Sequence, residues 1–226
     1  MYEFLSGPMF VISLAVFFIG MTWRVIWYIK GLDWKLDRVA YKADFSHGIK
    51  GGIHSALKWM LPFGTQGWRS QPLFTVAFFM FHTGAILLPF FLIGHSELLR
   101  ANFGFGLPTL PQNVSDILTI CAIIGAVLLG IRRIITPSVR YLTTGYDWFI
   151  LALATAPIVS GYLIAASPEN TNFWLILHII LGELMLILAP FTKLSHIVLY
   201  FMSRIQIGMD YSIKRGGHKR GAYFPW

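Results

Sequence analysis

A single cysteine, Cys121, stands in a chain of 226 residues. One thiol excludes an intrachain disulfide. It also excludes a C-x-x-C-H site for covalent haem and any self-contained iron–sulfur cluster. Cys121 lies in an apolar run and is expected to be a buried thiol. Charge is scarce as well: Asp, Glu, Lys and Arg make up 12% of the chain. That is about half the ~25% of soluble domains, so a soluble globular fold is excluded. The N-terminus, "MYEFLSGP", lacks a basic n-region, and no small-residue cleavage site ends the apolar run behind it. That run is expected to stay in place as a helix. There is no internal repeat, low-complexity tract or Pro/Ser linker, and a single membrane domain over 1–226 is expected.

What is abundant is apolar: 56% of the residues are hydrophobic, and mean hydropathy is +0.64. A spanning helix needs about 20 mostly apolar residues. Five segments qualify, at roughly 8–28, 72–94, 114–135, 146–166 and 173–203. The fifth is longer than a bilayer needs and is expected to tilt or project. The fold class that follows is all-α integral membrane, a five-helix bundle.

Lys30, Lys35, Arg38, Lys42, Lys50, Lys58 and Arg69 lie between spans one and two. Arg140 follows Arg132 and Arg133 between spans three and four, and Lys214, Arg215, Lys219 and Arg220 lie in the tail at 204–226. On the other side there is only Arg100. The positive-inside rule then puts the N-terminus in the periplasm and the C-terminus in the cytoplasm. The net charge of +8 arises from this asymmetry, which fits membrane lipid and not nucleic acid. The segment 44–67 is amphipathic. It suits either a helix lying on the cytoplasmic face or a docking surface for a cytoplasmic subunit.

Of seven histidines, His47, His54 and His218 fall in the first cytoplasmic loop and the tail, where surface or interface roles suffice. The other four sit at membrane depth: His82 and His95 in span two, His178 and His196 in span five. Ionisable groups there are costly and usually functional. Two imidazoles on each of two antiparallel helices suit two metals clamped between them, and neutral imidazole is a good axial ligand for haem iron. On a straight helix the eighteen residues from His178 to His196 are five turns, about 27 Å, with both rings on one face. His82 and His95 are thirteen residues apart, which puts their rings on different faces of a straight helix. Pro89, between them, removes a backbone hydrogen bond to Ala85 and is expected to distort the helix enough to turn His95 back. Gly84, Gly125, Gly130, Gly161 and Gly182 offer room for a macrocycle or for close helix packing.

Longer stretches carry a resemblance: "MTWRVIWYIKGLDW", "FHTG…GH", "RRIITPSVRYLTTGYDWFIL" and "LHIILG…PFTKLSHI". Over nearly its whole length the chain resembles the five-helix, di-haem cytochrome b subunits of the nitrate reductase gamma type. It looks closest to the cytochrome b subunit of the high-molecular-mass cytochrome c complex of sulfate-reducing bacteria. The resemblance implies two non-covalent haem b groups between spans two and five of a bacterial inner-membrane protein. His82 and His196 would ligate the inner haem, and His95 and His178 the outer one. Arg132, Arg133, Arg140 and Lys193 lie near the inner haem level, where haem propionates or the positive-inside effect account for them. The resemblance also implies partners: a cytoplasmic iron–sulfur subunit of heterodisulfide reductase type, another integral membrane subunit and a periplasmic multihaem cytochrome c.

The function so implied is electron transfer across the membrane, with no bond-making active site. One alternative is a subunit with a menaquinone site near one haem. There Glu183, about 140° around the helix from His178, would exchange protons. The plainer expectation for Glu183 is a protonated carboxyl bonded to a neighbouring helix or subunit. Another alternative is a haem-free anchor or transporter, with the histidines in a proton path.

Overall fold

A computed structural model describes residues 1–32 and 45–214. Lys35, Arg38, Lys42, His218 and the basic residues beyond Lys214 lie outside the described residues. Among the described residues the fold is all-α, and five helices are long and apolar enough to cross a membrane: Tyr2–Lys30, Pro72–Phe91, Gln112–Ile135, Gly145–Ala166 and Pro168–Phe191. In chain order, helix α1 is Tyr2–Lys30, α2 Phe45–Met60, α3 Gln66–Ser70, α4 Pro72–Phe91 and α5 Ile93–Phe103. Then come α6 Gln112–Ile135, α7 Pro137–Leu142, α8 Gly145–Ala166, α9 Thr171–Leu188 and α10 His196–Lys214.

Two of the expected spans take a different course. The first begins earlier than expected, at Tyr2. A π-helical turn over Leu5–Met9 carries Pro8 inside the helix, and such a turn can take up a residue that cannot donate to the ladder. The segment expected as one helix over 173–203 is not one. After α9 come a 3-10 turn over Ala189–Phe191, an extended residue at Thr192 (φ −120, ψ −176), a second 3-10 turn over Lys193–Ser195, and then α10. Pro190 is the cause in the sequence. It lacks the N–H that would bond the carbonyl of Leu186, and its ring crowds that carbonyl. The straight-helix rise and common face expected for His178 and His196 therefore do not apply.

The described chain forms two compact units. Met1–Phe18 and Val76–Thr192 make the first; Ile19–Thr75 and the chain from Lys193 onward make the second. In the first unit α8 packs on α9 and on α6. Helices α4 and α6 meet through glycine. A Cβ on Gly84 would lie 2.6 Å from Ala122 Cβ, and one on Gly125 would lie 2.6 Å from the Phe81 nitrogen. These glycines let two backbones touch, the usual role of small residues in membrane helices, and leave no room for a macrocycle there. Helix α8 starts at a capping box: Asp147 accepts from the Thr144 N–H at 2.9 Å and from its hydroxyl at 2.8 Å. The charge at the head of this span is thus used on orphan donors at the helix N-terminus.

In the second unit α2 packs along α10. Its buried face is Gly48, Gly51, Gly52, Ser55 and Ala56, and a Cβ on Gly208 of α10 would overlap the Gly51 carbonyl oxygen. The opposite face of α2 exposes Phe45, Ile49, Ile53 and Leu57. Trp68 is buried and donates its indole N–H to the Trp59 carbonyl at 3.2 Å, while Thr75 donates its hydroxyl to the Trp68 carbonyl at 2.7 Å. These bonds tie the end of α2 to the first turn of α4. Arg204 lies 4.6 Å from the centre of the Trp59 ring, within cation–π range.

Candidate functional site

Helix α4 stops at Phe91, and Leu92 is extended (φ −79, ψ 140) before α5 begins. The distortion expected in this span is therefore a full break, three residues beyond Pro89. A helix end leaves its last carbonyls without intrahelical donors. The Leu88 oxygen still accepts the Leu92 N–H at 3.2 Å, and further donors come from outside the ladder. His95 Nδ1 lies 3.1 Å from the Pro89 oxygen and 3.2 Å from the Leu88 oxygen. The Leu110 N–H donates to the Phe91 oxygen at 2.9 Å. The same imidazole that caps α4 is thereby fixed in direction.

His178 is held from a different helix. Its Nδ1 lies 2.8 Å from the Pro157 carbonyl oxygen and 3.2 Å from the Ser160 hydroxyl, both on α8. Gly161 makes room for the ring, since a Cβ there would lie 3.1 Å from His178 Cε1. The two imidazoles then face each other, Nε2 to Nε2 at 3.5 Å, with ring planes 5° apart and centroids at 5.8 Å.

The protonation states follow from the partners. A carbonyl can only accept, so each Nδ1 carries the proton. Each Nε2 of the neutral rings is then a lone-pair nitrogen. Two lone pairs aimed at each other repel, unless an electron-poor centre lies between them.

Two imidazole nitrogens converging in this way would suit a metal ion held between His95 and His178. Metal–imidazole bonds of about 2.0–2.1 Å would need the nitrogens about 4 Å apart, so opening the pair by about 0.5 Å suffices. An N–H anchored on a carbonyl is also what metal-ligating histidines show. Among the described residues no group of three or more His, Cys, Asp or Glu side chains could hold a metal ion by itself. A metal at this pair would bring its other ligands with it, as haem does.

The remaining expected residues are dispersed. His82, half-buried in α4, donates Nδ1–H to the Phe78 carbonyl at 2.8 Å and stacks on the Phe78 ring at 3.8 Å. His196 belongs to the second unit; it is exposed, with Nδ1 2.9 Å from the Lys193 oxygen. In all four histidines Nδ1 lies within hydrogen-bond distance of a backbone carbonyl oxygen. Arg132 and Arg133 are half-buried in the last turn of α6, while Arg140 and Lys193 are exposed. Glu183 is buried in α9, and its Oε1 has no hydrogen-bond partner. Of the partners expected for this carboxyl, a neighbouring helix or another subunit, none on a neighbouring helix is found for Oε1 among the described residues. His47 and His54 lie half-buried on α2 in the second unit. Of the glycines expected to make room for haem, Gly182 has nothing within 4 Å of a built Cβ, and Gly130 makes ordinary contacts with Trp148 and Leu151.

Sequence reasoning missed Pro157, Ser160 and Gly161 as supports of His178. A proline inside an apolar span was the available signal, because helical proline marks disturbed backbone hydrogen bonding.

These features define an all-α multi-pass membrane protein with five spanning helices. The chain is 62% identical over 226 residues, all of both chains, to a protein of Nitratidesulfovibrio vulgaris (strain Hildenborough). It belongs to the same family as that protein, and is a multi-pass bacterial membrane protein consistent with an inner-membrane location. No family model matches it.

Proposed function

We propose that the chain is a di-haem b subunit that carries electrons across the cytoplasmic membrane. It would link a periplasmic cytochrome c, or quinol, to a cytoplasmic iron–sulfur partner subunit. The observation that carries this reading is the His95–His178 pair, whose Nε2 atoms converge at 3.5 Å with both Nδ1–H groups held by carbonyls. When bound, haem supplies one-electron chemistry at iron. The chain's own part is to orient two imidazoles, His95 against the carbonyls that end α4 and His178 against α8.

His82 and His196 are the two ligands that the sequence resemblance gives to the second haem. The excess of Lys and Arg in the loop before α4 and in the tail supports a cytoplasmic side there, by the positive-inside rule. On that topology His95 and His178 hold the haem nearer the periplasm.

The test is a reduced-minus-oxidised spectrum of the purified protein, with haem counted per chain. Two b-type haems are expected in the unaltered chain. His95→Ala or His178→Ala should each remove the same one, and His82→Ala or His196→Ala the other. A chain purified intact without any b-type absorption would overturn the reading in favour of a haem-free anchor or transporter.

A further inference from the structure

We propose that Ser160 is a positioning residue that sets the electron donation of His178, and so the potential of one haem and not the other. This rests on the haem reading above. His178 Nδ1 has one proton. The Pro157 carbonyl, at 2.8 Å, takes its main branch, and Ser160 Oγ, at 3.2 Å, is placed to accept the second. The hydroxyl keeps its own proton for the Ala156 carbonyl at 2.9 Å or the Pro157 carbonyl at 3.0 Å. Ser160 Oγ and His178 Nδ1 thus both find partners within this group. Ser160 is 2% exposed, so water cannot replace the hydroxyl, and within an apolar span lost bonds are not made up by solvent.

The two facing imidazoles are supported unequally. His95 rests on two carbonyls at 3.1 and 3.2 Å. His178 has one shorter carbonyl contact and a hydroxyl in addition. Drawing the Nδ1 proton outward raises the basicity of the ring at Nε2. A more basic axial ligand stabilises Fe(III) over Fe(II) and lowers the potential, one of the protein's levers on haem. Ser160 therefore pulls that potential down. Gly161, next in sequence, keeps the imidazole seated within reach of the hydroxyl.

The experiment is a potentiometric titration of the purified protein, followed by b-type absorbance, for Ser160→Ala, Ser160→Thr and the control Ser13→Ala. Ser13 is likewise fully buried and bonds the Phe10 carbonyl within its own helix. In Ser160→Ala one midpoint should rise by about 30 mV, a roughly threefold shift toward the reduced form, since tenfold is 59 mV for one electron. The other midpoint should stay, as should the count of two haems. Ser160→Thr, which keeps the hydroxyl, should restore the value, and Ser13→Ala should move neither. If Ser160→Ala loses one haem and Ser160→Thr keeps it, the positioning role also stands. Unchanged midpoints, an equal shift of both, or haem loss in both Ser160 variants would overturn it. Absence of b-type haem from the unaltered chain would overturn the functional reading itself, and this inference with it.

Discussion

At the scale of residues, the site depends on which atoms can donate. An imidazole offers one proton when neutral, and at His95 and His178 backbone carbonyls take it at Nδ1. Nε2 is thereby left with a lone pair, the form a metal needs. Glycine makes the same point through volume. A Cβ at Gly161 would meet the His178 ring at 3.1 Å, whereas one at Gly84 would meet Ala122 and the Leu118 carbonyl instead. Gly161→Ala is therefore expected to weaken binding of one haem about tenfold, the lower end for a support of a metal ligand, and to spare the other. Gly84→Ala is expected to lower overall stability by ~1–3 kcal/mol, the usual cost of overpacking, with no preference between haems. Haem per chain during titration into haem-depleted protein, together with thermal unfolding in detergent, separates the two outcomes. Selective haem loss in Gly84→Ala would mean that the α4–α6 contact, and not the Gly161 slot, controls the site.

At the scale of elements, the informative features are the ends of helices. Proline weakens span two at Pro89 and the fifth segment at Pro190, and each helix gives way within three residues. In span two the break brings His95 onto the Leu88 and Pro89 carbonyls at the end of α4, so one event both ends the helix and aims a side chain. The α2–α10 pair is held by close backbone approach, with Gly51 and Gly52 against Gly208. Any side chain at 208 must push these helices apart. Gly208→Val should therefore destabilise the second unit by at least ~1–3 kcal/mol and speed proteolytic cutting near α2. Limited proteolysis and thermal unfolding would show it. Unchanged cutting and an unchanged melt would mean that the pair is not as closely packed as the glycines require.

At the scale of the whole molecule, five apolar helices and the placement of basic residues set the relation to the membrane. The proposed topology puts Arg100 in the periplasm and Lys50 and Lys219 in the cytoplasm. Single cysteines at these positions, introduced after Cys121→Ala, would be labelled from outside intact cells with an impermeant maleimide. Labelling is expected at position 100, and at 50 and 219 only after lysis. Labelling at 50 but not at 100 in intact cells would invert the topology and the inner and outer assignment of the haems with it.

The number and type of the spanning elements were legible in the sequence because a bilayer acts on local composition. About 20 apolar residues with a satisfied backbone form a spanning helix whatever surrounds them, and a histidine within such a run stands out by its polarity alone. Two of the boundaries were not legible. Pro8 and Pro190 both lie in apolar stretches, yet the first is absorbed in a π-turn and the second ends a helix. Nor was the use of each glycine, since Gly84 and Gly161 look alike until their neighbours are known. The meeting of His95 and His178, 83 residues apart, and the support of His178 by a carbonyl 21 residues away belong to the tertiary structure alone. The physical reason is range. Polarity and length are properties of a stretch of chain, whereas the direction of a ring depends on where its helix stops and on which distant donor or acceptor holds it there.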